Sequence, residues 1–144
     1  MKKSLRCICA ALFMLAFCTG FVIHASAVER ARLYLTRYSA TVSASNNGAI
    51  EMSIFVVANK SVSELGASYI LLEESDDGGK TWSTAREYEG QSWMTAENRS
   101  TYSRTLSYPG TIGHQYRVTA EVFAKDANGG DSRTTPTSPV VTAK

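Results

Sequence analysis

The run "QYRVTAEVFAKDANGGDSRTT" occupies residues 115–135, and its reading decides the fold. Across 115–126 the chain alternates without a break. Tyr116, Val118, Ala120, Val122 and Ala124 fall on one side, and Arg117, Thr119, Glu121, Phe123 and Lys125 on the other. Successive Cβ atoms of an extended chain point to opposite faces, so a period of two predicts a strand with one buried face. "ANGG" (127–130) then supplies a turn, because Asn and Gly tolerate positive φ. A further extended segment, 131–143, follows it, with Pro136 and Pro139 removing ladder donors as suits a sheet edge.

The same period runs outward through the chain. Strands are predicted at 32–44, 49–58, 68–75, 81–89 and 100–108. In the second of these, Ile50, Met52, Ile54 and Val56 share a face. "NNG" (46–48), "DDGGK" (76–80) and "PGTIGH" (109–114) read as turns, 59–67 as a loop with one helical turn at Val62–Leu65, and 90–99 shows no period. Seven short strands with turn signals every ~8–15 residues predict an all-β fold, an antiparallel two-sheet sandwich.

"GTIGHQYRVTAEVFAKDANGGDSR" (110–133) resembles the sixth-strand, loop and seventh-strand region of fibronectin type III and immunoglobulin-like domains. That resemblance implies a tyrosine corner at Tyr116, whose hydroxyl would bond upstream backbone. It also implies strands one, two and five facing strands three, four, six and seven. More widely, "ERARLYLTRYSATVSASNNGAIEMSIFVV", "LGASYILLEES", "YRVTAEVFAKDANGGDSRT" and the terminal "VTAK" resemble an uncharacterised group of small secreted single-domain proteins of gut Gram-positive bacteria. The group has no assigned activity, so it lends this chain no functional residues.

The N-terminus carries an address. "MKKSLR" is a cationic n-region, "CICAALFMLAFCTGFVI" an apolar h-region, and Ala25-Ser26-Ala27 a small-x-small exit, which predicts a bacterial secretory signal peptide over 1–27. Cleavage before Val28 leaves one domain at 28–144, secreted and with no membrane span. A retained anchor is disfavoured by the short h-region, and lipidation at Cys18 by the bulky Phe17 before it. No "LPxTG"-like sorting tail is present, so covalent wall attachment is not expected. All three cysteines (Cys7, Cys9, Cys18) leave with the signal, so no disulfide supports the domain. Loss of Lys2, Lys3 and Arg6 from the 15 basic residues leaves 12 against 13 acidic ones. A near-neutral export is a poor nucleic-acid binder, although Arg30, Arg32, Arg37, Tyr34 and Tyr38 interleave charge and ring.

Ser75, Asp77, Gly79, Thr81 and Trp82 fall on the spacing S-x-D-x-G-x-T-W, which resembles the Asp-box of sialidases. In that family the boxes lie in hairpin turns away from the catalytic face, one per propeller blade. A propeller of about six blades at roughly 40 residues each needs ~240 residues, more than this chain has. The single copy is therefore predicted to be a structural turn between strands.

Other constellations are thin. His114 is the one histidine beyond the signal, predicted as an exposed loop residue, so neither a nucleophilic triad nor a zinc site of three or four His/Cys ligands is expected. Glu73, Glu74, Asp76 and Asp77, and the same-face pair Glu87 and Glu89, are read as solvated charges rather than a hydrolytic pair. Asp126, Asn128 and Asp131 offer oxygen ligands for calcium but lack the distal bidentate Glu of an EF-hand, so an Asx-stabilised hairpin is favoured and no cofactor is expected. Trp93 and Met94, near Tyr88 and Tyr102, either cap the core or form a binding surface for a glycan or protein. The sequence thus predicts a non-catalytic extracellular binding module using loops at 59–66, 90–99 and 126–131 or an exposed sheet edge. A self-assembling surface protein is the alternative, and a glycoside hydrolase is a weaker one.

Overall fold

β5 (Gln115–Asp126) is the strand with one buried face that its alternation predicts. Tyr116, Val118, Ala120, Val122 and Ala124 are all buried, while Glu121 and Lys125 on the other row are exposed. The computed structural model describes residues 34–144. The expected signal peptide at 1–27, its three cysteines, and Arg30 and Arg32 lie outside the described residues. The described chain is all-β, with β1 (Leu35–Ala44), β2 (Ala49–Ser75), β3 (Ser83–Glu89), β4 (Thr95–Pro109), β5, β6 (Gly129–Thr134) and β7 (Val141–Thr142) in antiparallel pairing. Single 3₁₀ turns at Asn46–Gly48 and Ser92–Met94 complete it, the first with Asn47 and Gly48 both at positive φ.

The principal departure from the sequence reading is β2, which runs unbroken for 27 residues. The predicted second and third strands and the loop between them are one element, and Val62–Leu65 is not helical. The reason is tertiary. Residues 62–66 find ladder partners in β4 (95–99) and residues 64–67 in β5 (122–125), so the backbone groups a loop would leave to water are paired. On one side β2 is lined first by β4 and then by β3, and on the other first by β1 and then by β5. Where two separately hydrogen-bonded sheets were expected, β2 belongs to both halves and the ladder is continuous. β1 and β4 flank the first part of β2, and β3 and β5, with β6 beyond β5, flank its later part.

Both halves of β2 bury a row of apolar side chains, and the two rows meet in one core. Ile50, Met52, Ile54 and Val56 come from the first half, and Leu65, Ile70 and Leu72 from the second. Register shifts between Val57 and Val62 and between Ala67 and Tyr69 rephase the strand, so each half keeps its apolar row inward. Gly66 sits between the shifts at φ +155°, and a Cβ there would collide with Met94 O. The bend therefore requires glycine.

The predicted last strand also divides. β6 and β7 are separated by residues 135–140, which contain both prolines. In this gap Thr135 N–H and Ser138 N–H donate to Ala120 O and Val118 O at 2.8 and 2.9 Å. In return, Ala120 N–H donates to Thr135 Oγ1 at 3.0 Å and Val118 N–H to Ser138 Oγ at 2.9 Å. Side-chain oxygens thus replace ladder carbonyls along the edge of β5, which is why these two hydroxyl residues are buried.

Candidate functional site

The S-x-D-x-G-x-T-W stretch closes the β2–β3 hairpin. Asp77 Oδ1 accepts from Ser75 Oγ at 2.8 Å and from the Lys80 and Thr81 N–H groups at 2.9 Å each. Its Oδ2 accepts from Thr81 Oγ1 at 2.7 Å, and Gly79 N–H donates to Ser75 Oγ at 2.9 Å. Gly78 and Gly79 take φ values of 77° and 87°. The Thr81 backbone and hydroxyl donors, with the Ser75 hydroxyl, pull the Asp77 carboxyl down to about 2. The side-chain oxygens of Ser75, Asp77 and Thr81 thus all serve the turn. Trp82 packs against Arg117, whose guanidinium lies 4.2 Å from the ring centroid and grips Glu73 through Nε and NH2 at 2.8 and 2.9 Å.

Glu74 is not the solvated charge that its place among four acids predicts. Its Oε1 accepts from the Tyr116 hydroxyl at 2.5 Å and lies 2.6 Å from His114 Nδ1. The Tyr116 bond foremost, with His114 adding to it, holds the carboxyl below its ordinary value against the opposing effect of burial. An ionised Glu74 only accepts, so Nδ1 carries the proton and the tautomer is set. His114 is therefore a half-buried partner of Glu74 rather than a free loop residue. The Tyr116 hydroxyl does bond upstream backbone, accepting from Thr111 N–H at 2.8 Å, and its own proton goes to Glu74. Burial, followed by the Glu74 bond, pushes the phenol upward.

His114, Glu74, Asp76, Thr81, Trp82 and Ser83 line a cleft of about 170 Å³. Its hydroxyls are committed elsewhere: Thr81 Oγ1 to Asp77, and Ser83 Oγ to Glu74 O at 3.4 Å. The arrangement ties the entrance of β5 to the end of β2. No local sequence signal announces it, since the partners are 40 and 42 residues apart.

Asp126 and Asp131 do not converge on a cation. Asp126 Oδ1 accepts from the Tyr34 hydroxyl and Asn128 N–H, both at 2.8 Å, and Oδ2 meets Lys60 Nζ at 2.9 Å. Lys60 first, then Asn128 N–H and Tyr34, lower its carboxyl to about 2. Asp131 is buried and paired with Arg133 at 2.7 Å. Among the described residues no three His, Cys, Asp or Glu side chains are grouped to hold a metal. Glu87 and Glu89 face outward beside Tyr69, whose phenol is raised first by a hydrogen bond to Glu87 and also by the charges of Glu87, Glu89 and Glu121.

The aromatic candidates separate. Met94 belongs to the core at 1% exposure and offers no surface. Its neighbour Trp93 is half-buried and meets Tyr88 edge-on, with centroids 5.5 Å apart and planes at 75°. β3 and β4 lie end to end along one side of β2, and the 3₁₀ turn joining them places this ring pair in the gap. The Tyr102 hydroxyl donates to Trp93 O at 3.1 Å and fixes the turn. Arg86 and Arg104 stand over Tyr88 and Trp93, each 5.4 Å from its ring centroid. Beside the rings opens a cleft of about 460 Å³ lined by Arg86, Glu87, Tyr88, Glu89, Gln91 and Trp93. Sequence reasoning singled out the rings and missed both arginines, because their pairing with the rings depends on how the two edge strands meet.

Of the three segments predicted as contact loops, 59–66 is strand, and 95–99 and 129–131 are paired. What remains is the 90–94 corner and the turn at 127–128.

No protein-family model matches the chain, and no curated protein matches it. Among solved structures it is similar to a superoxide reductase (neelaredoxin) from Ignicoccus hospitalis, at 8% identity and a TM-score of 0.40, covering 84% of this chain and 89% of that one. The twitchin kinase region of C. elegans matches at 12% identity and a TM-score of 0.33, covering 76% of this chain and 16% of that chain. Likenesses this distant carry no argument about activity.

Proposed function

We propose that this protein is a secreted, non-catalytic recognition module that contacts its extracellular partner through the Tyr88–Trp93 corner. The observation that carries this reading is the perpendicular, half-exposed ring pair beside an open polar cleft of about 460 Å³, a size within the ~300–1,000 Å³ range of ligand sites. Rigid rings with few rotatable bonds give contact area at low entropic cost. The commitment of the Asp77, Ser75, Thr81 and Ser83 polar groups to structural bonds supports a binding role over a hydrolytic one. The likeness of the sequence to secreted β-domains supports the extracellular setting, and the core is continuous without a disulfide among the described residues.

Co-sedimentation of the purified protein with bacterial cell walls, mucin and host-cell surfaces tests it, with Trp93→Ala alongside. Selective pelleting that the variant loses is the expected result. Pelleting with nothing, or equally well without the Trp93 ring, refutes it.

A further inference from the structure

Resting on that reading, we propose that the ligand of the Tyr88–Trp93 corner is an acidic glycan, one bearing carboxylate or sulfate groups. Four side chains form a continuous ladder across the gap between β3 and β4: Arg86 over Tyr88, Tyr88 against Trp93, and Arg104 over Trp93. The guanidiniums close both ends of the ring pair. Among the described residues neither has a carboxylate within salt-bridge distance, whereas Arg117 and Arg133 each do. Each guanidinium lies within cation–π range of its ring, and a guanidinium's N–H fork suits bidentate contact with carboxylate or sulfate.

The acids that line the cleft do not cancel this charge. Along β3, Arg86 and Tyr88 pair with Leu72 and Ile70, whose side chains enter the core. Glu87 and Glu89 pair with Leu71 and Tyr69 on the opposite row, and strand alternation directs their carboxylates to the far face. Of the two guanidiniums, Arg86 lines the cleft itself, and Arg104 reaches the ring pair from β4 over Trp93.

Two features favour a sugar over another anion. The rings offer apolar faces for the C–H side of a pyranose, and Gln91 lines the same cleft with an amide able both to donate to and to accept from hydroxyls. The near-neutral composition beyond residue 27 lacks the broad basic field that a nucleic acid requires. Recognition here rests on two placed cations, not on bulk charge.

The test is a titration of the protein against four probes: heparin (sulfated), polygalacturonate (carboxylated), dextran (neutral) and a single-stranded oligonucleotide. Wild type, Trp93→Ala and the double variant Arg86→Gln/Arg104→Gln are compared. Glutamine keeps a planar amide over each ring while removing the charge, and a urea titration confirms that each variant folds. The expected result is that one acidic glycan binds at least about tenfold more tightly than dextran and the oligonucleotide. The double variant should lose about tenfold or more of that affinity, and Trp93→Ala should lose binding altogether. Which of the two acidic probes prevails assigns the anion. Equal binding of dextran, lost in Trp93→Ala but not in the arginine variant, overturns the acidic ligand and leaves the corner as the contact surface. Oligonucleotide binding as tight as heparin overturns the glycan. Binding of no probe, or acidic-glycan binding indifferent to Trp93, overturns this inference, while the recognition reading beneath it stands or falls on co-sedimentation with cell walls, mucin and host-cell surfaces.

Discussion

Replacing Tyr116 with phenylalanine isolates the energetic worth of the knot between β2 and β5. The ring is fully buried and stays in place, so packing changes only by the hydroxyl oxygen. That oxygen donates to the Glu74 carboxylate at 2.5 Å and accepts from Thr111 N–H at 2.8 Å. A hydrogen bond to a charged partner contributes ~1.5–3 kcal/mol and a neutral one ~0.5–1.5 kcal/mol. Thr111 is exposed, so water replaces much of the second, and Glu74 retains His114 and 22% side-chain exposure, which reduces the first. The net expectation is ~2 kcal/mol. With a urea slope of ~1–3 kcal/mol/M, the midpoint falls by ~1–2 M at neutral pH while the slope is unchanged. The sign of the pH dependence follows from the lowered Glu74 carboxyl. Its stabilisation is fully present above the unfolded glutamate value of ~4.3 and is lost as pH falls through the lower folded value. The gap between wild type and Tyr116→Phe should therefore narrow below about pH 4. A loss under ~0.5 kcal/mol at neutral pH, or a gap that stays constant through the acid range, refutes the knot as a stabilising element.

Three other outcomes are expected. Gly66→Ala drives a Cβ into Met94 O and to 2.8 Å from Thr95 Cα, both backbone atoms, so a loss of ~3 kcal/mol or more should appear as a collapsed urea midpoint or insoluble protein; a normal midpoint would show that the β2 bend does not need glycine. Thr135→Val leaves the buried Ala120 N–H without its acceptor, for ~1–3 kcal/mol by the same assay, and an unchanged midpoint would mean that another acceptor takes over. Asp77→Ala should strip hydrogen-exchange protection from the Lys80 and Thr81 amides without unfolding the core. In the wild type, with the Asp77 carboxyl near 2, that protection should persist on acidification until pH approaches the same value. Protection lost well above it would assign the turn to other contacts.

Some of these features were legible in the chain because they are local. The alternation at 115–126 determined β5 and its buried row, since the pleat converts a period of two directly into two faces. "NNG" determined a tight turn with Asn47 and Gly48 at positive φ, and S-x-D-x-G-x-T-W determined a closed hairpin turn, because all of the Asp77 donors lie within four residues.

Tertiary structure decided the rest. Residues 59–67 look like a loop, with Asn59, Lys60, Gly66 and few apolar side chains, and they become strand only because β4 and β5 arrive to pair with them. Trp93 and Met94 are adjacent in a segment without period, yet one joins the core and the other a surface ladder, according to which side of a 3₁₀ turn each occupies. Glu74 reads as one of four similar acids until His114 and Tyr116, some forty residues away, close on it. Arg86 and Arg104 acquire a shared role only when β3 and β4 meet end to end along β2. A sequence specifies its periodicity and its turns through neighbours along the chain. Ladder partners, ion-pair partners and ring contacts come from strands distant in sequence, and are settled only when the burial of one common core brings those strands together.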